Sequence, residues 1–147
     1  MRRLLSITTL CALCFAQTAC DDDLKTVAKT LNVIAAQVLV VQDIVIAAEE
    51  NDLISEDDAR VVITITARIG RAGREAVALT KSLAELNESD RHNLLVVLTP
   101  ITETVDRLLD DETLSLIEDA STREKIEAAF IALKATIVTA QLILGVE

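Results

Sequence analysis

The chain has 147 residues, of which none is tryptophan or tyrosine and two are phenylalanine. It also has one histidine and one proline, and its three cysteines, Cys11, Cys14 and Cys20, all lie near the amino terminus. The scarcity of aromatic residues argues against a surface on which bases or sugars stack. The lack of later cysteines excludes a disulfide framework within the rest of the chain.

The amino-terminal segment carries the clearest signal in the sequence. Two arginines precede an apolar run over residues 4–16, and a short polar stretch leads from there to Cys20. A basic start, an apolar core of about a dozen residues and a small residue before the cleavage point are typical of a secretory signal peptide. We therefore predict a signal peptide over residues 1–19 and a single mature domain over residues 20–147.

The residues around Cys20 resemble the lipobox of bacterial lipoproteins, in which a cysteine after a small residue is acylated and becomes the first residue after cleavage. Thr18 and Ala19 fit the two positions before the cysteine, whereas Gln17 stands where that family usually has an aliphatic residue. The resemblance covers the signal segment only. It implies a lipid anchor on Cys20 and a location in the cell envelope, facing the periplasm or the cell exterior.

Two other outcomes are open at this segment. Ordinary signal-peptidase cleavage after Ala19 would give a soluble secreted or periplasmic protein with a free thiol on Cys20. Retention of residues 4–16 as an anchor is disfavoured, because a run this short does not cross about 30 Å of hydrocarbon as a helix.

The charge of the mature chain is strongly acidic. Removing residues 1–19 takes away two arginines and no acidic residue, so 12 basic residues remain against 24 acidic ones, a net charge of −12. Nucleic-acid binding requires clustered lysine and arginine side chains that displace counterions from phosphates. We therefore expect no nucleic-acid partner.

The longest apolar run of the mature chain covers residues 33–48 and is interrupted by Gln37, Gln42 and Asp43. It is shorter than the ~20 residues that a membrane span needs. A charged residue near the centre of a span would also cost about 2.5 kcal/mol or more. We interpret this run as a helix of a soluble bundle.

Apolar periodicity predicts two long helices in the first half. The first covers residues 23–50, with aspartates 21–23 at its start, and Ser55 is the expected N-cap of the second. The polar residues of the first helix share one narrow sector and are Lys25, Lys29, Asn32, Asp43 and Glu50. The second helix has apolar residues at alternating spacings of three and four, namely Val62, Ile65, Ile69, Ala72, Ala76, Leu79, Leu83 and Leu86. Gly70 and Gly73 lie beside this seam, either as a site of close helix approach or as a tolerated weak point.

Two further helices are predicted in the second half. Ser89 is the expected N-cap of a third helix that ends near Asp110 and is kinked or broken near Pro100. Leu114, Leu116 and Ile117 are then expected to form a short buried turn. The sequence from Ser121 to Glu124 fits a capping box for a fourth helix, which Gly145 ends. Because the connections are short, we predict an all-α fold, an antiparallel up-down four-helix bundle preceded by a signal-peptide helix.

The sequence contains few groups that carry chemistry. His92 follows Glu88 and Asp90 at the predicted start of the third helix, with no second histidine to complete a metal or general-base site. Glu103, Asp106 and Asp110 form a predicted solvated acidic face. No phosphate-binding loop, nucleophile elbow or zinc-protease motif occurs. We expect no catalytic residues, no cofactor and no metal.

Four arginines lie on the predicted outer face of the second helix, opposite its apolar seam: Arg60, Arg68, Arg71 and Arg74. They could contact anionic lipid headgroups or an acidic protein partner. The simpler interpretation is a solvated stripe that pairs with acids on neighbouring helices.

The sequence therefore favours a non-enzymatic, exported cell-envelope lipoprotein that acts as a helical interaction or structural module. Its expected partners are the membrane, through Cys20, and another protein or a second copy. The alternative is a carrier or sensor that holds a small hydrophobic ligand, such as an acyl chain, between its helices. An enzyme with an unfamiliar site is a weaker third hypothesis.

Overall fold

The computed structural model describes the backbone of residues 4–110, 114 and 117–145, and the side chains in those ranges from Asp23 onward. This part of the chain forms four long helices and no strand. The helices are α1 (Leu4–Glu50), α2 (Glu56–Lys81), α3 (Glu88–Asp110) and α4 (Ala120–Leu144). The predicted all-α fold is confirmed.

The helices pack as a four-membered bundle. α1 contacts α2 and α4, and α3 contacts the same two helices from the opposite corner. Short connections, such as residues 51–55 and 82–87, join neighbouring helices, so consecutive helices run antiparallel. The predicted up-down topology is therefore confirmed.

The core consists almost wholly of aliphatic side chains. Phe130 on α4 is the bulkiest of them and is completely buried. Leu114 and Ile117 are also buried and close the bundle between α3 and α4, as predicted, while Leu116 lies outside the described residues. Removal of this apolar surface from water is the main contribution to stability.

The start of α1 differs from the prediction. The helix begins at Leu4 rather than at Asp23, so aspartates 21–23 lie within it and do not cap its first turn. The segment before them is rich in leucine and alanine and contains no glycine or proline. Because such residues favour a helix, the helical backbone continues from Leu4 into the bundle.

The buried line of α2 is shifted from the predicted heptad seam. Thr66, Gly70 and Gly73 are buried, whereas Ile65 and Leu79 on the seam are only half-buried. The hydroxyl of Thr66 donates to the carbonyls of its own helix and accepts from the Gln42 amide, so its burial leaves it hydrogen-bonded. The small residues lie at the centre of the contact because they let α1 approach.

The two glycines of α2 mark this close approach. A Cβ atom on Gly70 would lie 3.2 Å from Val38 Cγ1, and one on Gly73 would lie 3.6 Å from Ile34 Cγ2. The first distance is tighter than an ordinary contact, so an alanine at Gly70 would push against a buried valine. The interpretation of these glycines as a site of close helix packing is supported.

Pro100 lies inside α3, which continues through it as one helix. The predicted division into two shorter helices is therefore wrong, and a kink within the unbroken helix stays a prediction. Proline removes the amide that would bond to the Val96 carbonyl. Both Val96 and Pro100 are exposed, so water can hydrate that carbonyl.

Of the predicted helix caps, those at Ser55 and Gly145 are confirmed. Ser55 Oγ accepts from the Asp58 amide at 3.1 Å, and Gly145 ends α4 with a φ of 93°. The start of α3 is capped by Asn87, not Ser89. The start of α4 is capped by Asp119, whose Oδ1 accepts from the Thr122 amide at 2.7 Å.

Asp119 replaces the predicted capping box because it lies before the helix, whereas Ser121 and Glu124 lie within it and are exposed. A carboxylate at this position satisfies an amide and also interacts favourably with the positive end of the helix dipole. The hydrogen bonds from Thr122 hold the pKa of Asp119 below its ordinary value of 3.8.

We expect Asp119→Ala to lower the melting temperature at pH 7 by about 3–5 °C, because it removes this cap. Ser121→Ala should leave it within about 1 °C. Since the pKa of Asp119 is lowered in the folded state, its charge stabilises the protein above pH 3.8 and this contribution is lost as the pH falls through the folded pKa. Thermal unfolding of both variants checks the assignment, and a larger effect at Ser121 would contradict it.

Candidate interaction surface

The outer side of α1 carries a row of exposed apolar residues. Leu39 is 60% exposed and Val40 is 52% exposed. The remaining exposed apolar residues of this row are Val33, Ala36, Ile46 and Ala47. One side of α1 therefore builds the core, while the opposite side presents aliphatic side chains to solvent.

The outer side of α4 continues this surface. Beyond Glu127, its exposed residues are Ala128, Ile131, Ala132, Ala135, Thr139 and Leu142. α1 and α4 are packed neighbours, and a shallow groove of about 350 Å³ runs between them, lined by residues such as Val33 and Ala135. We call the exposed residues of the two rows together the α1–α4 face.

The α1–α4 face contains very little charge. Asp43 is the one exposed charged residue of α1 between Asn32 and Glu49. On α4 beyond Glu127, the described charged residue is Lys134, which turns toward α3 and places its Nζ 2.7 Å from Asp106 Oδ1. This hydrogen bond and the neighbouring negative charge raise the pKa of Lys134, so the ammonium remains charged and paired.

Both helices of this face are apolar enough to cross a membrane by length and composition alone, over Asp23–Glu50 and Ala120–Leu144. The core helix of a soluble bundle can have the same length and composition, but such a helix is mostly buried. Here, however, only 33% and 28% of the most apolar windows are buried. The rest of each window is half-buried or exposed, and its exposed part is the feature that calls for a functional explanation.

Arg91 joins three helices at the end of the bundle where Asp23 lies. Its Nη2 donates to Asp23 Oδ2 of α1 at 2.9 Å, and its Nη1 donates to the carbonyl of Ile143 on α4 at 2.8 Å. The cation also complements the negative end of the α4 dipole. The role of Arg91 is not predicted from the sequence. Its partners, Asp23 and Ile143, lie on other helices, and no local sequence pattern indicates contacts between distant residues.

The four arginines predicted as a contact site lie along α2, outside the α1–α4 face. Arg60 forms ion pairs within its own helix, at 2.6 Å to Glu56 and 3.4 Å to Asp57. The other three, Arg68, Arg71 and Arg74, are exposed and form no ion pair within the described part of the chain. Pairing with acids on neighbouring helices is therefore not observed for them.

The titratable residues singled out in the sequence do not converge on a site. His92 is exposed, and the residues described include no group of His, Cys, Asp and Glu placed to hold a metal ion. Asp106 of the predicted acidic face forms an ion pair with Lys134 and is only half-exposed.

A cleft of about 840 Å³ lies where the α1–α2 connection meets the start of α4. It is lined largely by carboxylates, which are Glu49, Asp52, Glu56, Asp58, Glu118 and Asp119. No lysine or arginine lines the cleft. Its other lining residues are Leu53, Ile54, Ser55 and Ile117.

The strongest candidate site on the described residues is therefore a surface rather than a pocket. It is broad, aliphatic and nearly uncharged, and it is formed by two neighbouring helices. No protein-family model, curated protein or solved structure matches this chain.

Proposed function

We propose that this chain is an exported, non-enzymatic lipoprotein of the cell envelope, anchored through Cys20, whose bundle binds another protein surface through the α1–α4 face. The observation that carries the proposal is the exposed aliphatic surface on α1 and α4. A solvent-facing patch that extends over two helices is characteristic of a contact surface, since monomeric soluble proteins rarely keep large contiguous apolar patches in water.

The anchor is supported by the apolar amino-terminal helix and by the lipobox-like residues before Cys20. Asp23, three residues after Cys20, is held by Arg91 against the carboxyl end of α4. A lipid on Cys20 would therefore connect to the bundle without a long flexible linker. The bundle would lie close to the membrane surface, with the α1–α4 face beginning within a few turns of the anchor.

The carrier hypothesis has less support. The core positions of all four helices are filled by side chains, including the fully buried Phe130 and Leu98. The cleft of about 840 Å³ is lined by carboxylates, which do not suit an acyl chain. An interaction module requires no cavity and fits the described residues better.

A charge placed in the α1–α4 face tests the proposal. We expect Val40→Glu to shift the detergent-extracted full-length protein to a smaller species in analytical ultracentrifugation, because a carboxylate in an apolar contact is desolvated without a partner. Val40 is 52% exposed within one copy, so the unfolding free energy of the bundle free of its partner should change by less than about 0.5 kcal/mol.

Val96→Glu is the matched control, because Val96 is 58% exposed but lies on α3, away from the face. It introduces the same side chain and should leave the sedimentation coefficient unchanged. An equal shift for both variants, or no shift for Val40→Glu, would contradict a contact through the α1–α4 face.

A further inference from the structure

We infer that the α1–α4 face binds a second copy of this chain, with the two α1 helices antiparallel about a two-fold axis that passes beside Ala36. The inference deepens the proposed function and rests on it, because it names the partner of the same face. It is carried by the order of charges along α1, by the small residues at its centre and by the area of the surface.

The charges on the outer side of α1 are complementary to those of a reversed copy. Lys29 lies seven residues before Ala36, and Asp43 lies seven residues after it. Both side chains project on the exposed side of α1, and within the described residues neither has an ion-pair partner. A two-fold axis beside Ala36 places Lys29 of each copy opposite Asp43 of the other, which forms two equivalent ion pairs.

A parallel arrangement of the two α1 helices lacks this complementarity. It would place Lys29 against Lys29 and Asp43 against Asp43, which is unfavourable in a contact that excludes water. The antiparallel arrangement is therefore the one that places Lys29 opposite Asp43.

The shape of the face suits the same axis. Ala36 is at the centre, and the larger apolar residues Val33, Leu39 and Val40 flank it. On α4, Ala132 lies at the same level, since the Gln37 amide is 3.5 Å from its carbonyl oxygen. Small residues on both helices near the axis allow two backbones to approach closely.

The area is sufficient for a stable dimer. The exposed side of α1 from Lys25 to Glu50 is about 38 Å long. Two neighbouring helices with axes about 9 Å apart give a face about 20 Å wide. The face is therefore about 700 Å² per copy, or about 1,400 Å² in total, which lies within the usual range for specific interfaces.

The arrangement also determines how an anchored dimer lies on a membrane. Cys20 lies sixteen residues before Ala36 on the continuous helix α1. The two anchors of an antiparallel dimer are then about 48 Å apart, at opposite ends. A dimer with both anchors in one bilayer therefore lies lengthwise along the membrane surface.

Charge reversal at the two positions tests the inference. We expect Lys29→Glu or Asp43→Lys alone to weaken dimerisation of the detergent-solubilised full-length protein about tenfold, because each creates two like-charge contacts. The double variant should recover the dimerisation constant to within about twofold, since the charges are then exchanged and complementary again. A double variant as weak as the singles would overturn the antiparallel arrangement.

Cross-linking of introduced cysteines with a short bis-maleimide, in isolated membranes, tests directly whether the partner is a second copy of this chain. Ala36→Cys should give an adduct of twice the protein mass, and the variant with both Lys29→Cys and Asp43→Cys should do the same. Lys29→Cys alone and Val96→Cys should remain monomeric, because these positions do not face themselves across the proposed axis. The unsubstituted protein reports any reaction at Cys20 itself.

The outcomes separate this inference from the proposed function. An Ala36→Cys adduct with a protein of a different mass would overturn self-association, while a contact through the α1–α4 face would still stand. Strong cross-linking of Lys29→Cys to itself would overturn the antiparallel arrangement. Absence of any Ala36→Cys adduct, together with an unchanged sedimentation coefficient for Val40→Glu, would contradict both the self-association and any contact through the α1–α4 face.

Discussion

Cys20→Ala is expected to move the protein from the membrane fraction to the soluble fraction. An acylated cysteine carries several lipid chains, and each buried methylene contributes about 0.8 kcal/mol, so together they hold a protein durably on a bilayer. Without the thiol, no such attachment forms. Intact mass of the envelope-extracted protein should show diacylglycerol on Cys20 in the unsubstituted form and a corresponding loss of mass in the variant.

Cys14→Ala is the matched control for this experiment. Cys14 lies six residues before Cys20, within the predicted signal peptide, so its replacement should alter neither the mature mass nor the fractionation. A Cys20→Ala protein that stays in the membrane would mean that an apolar helix holds it there instead. α1 is the first candidate for that role, because it is continuous from Leu4 to Glu50.

The number, order and approximate bounds of the body helices could be predicted because apolar spacing and turn residues act locally. The cap of α4 could not be identified with the same certainty, since Asp119 and Ser121 are both good N-cap residues two positions apart. The choice depends on where Leu114 and Ile117 lie in the core. That is a tertiary effect, because the buried Leu114 and Ile117 fix the approach of the chain to the helix.

The candidate surface was only partly foreseen. The excess of aliphatic residues on α1 and after Lys134 is visible in the sequence and indicates that these helices need cover on more than one side. The sequence alone does not tell which of the apolar residues remain outside. The packing of the helices decides it. α1 lies against α2 at Gly70 and Gly73, and Leu39 and Val40 are exposed on the other side of α1.

Phe130→Ala is expected to destabilise the protein by about 3–5 kcal/mol, a large share of the 5–15 kcal/mol that holds a typical domain folded. Phe130 is fully buried on α4 and is the largest side chain of the core. Its removal loses apolar burial and leaves a cavity that the surrounding leucine and isoleucine side chains can only partly fill. Urea unfolding followed by circular dichroism measures the change.

Ile131→Ala, at the next position, is the matched control. Ile131 is 58% exposed within one copy, and alanine is the better helix former, so the unfolding free energy of the dissociated protein should change by less than about 0.5 kcal/mol. The comparison of Phe130→Ala with Ile131→Ala tests which side of α4 faces the core. Equal losses at both positions would mean that the outer side of α4 is covered within one copy, and the apolar surface on which the proposed contact depends would then not be available to a partner.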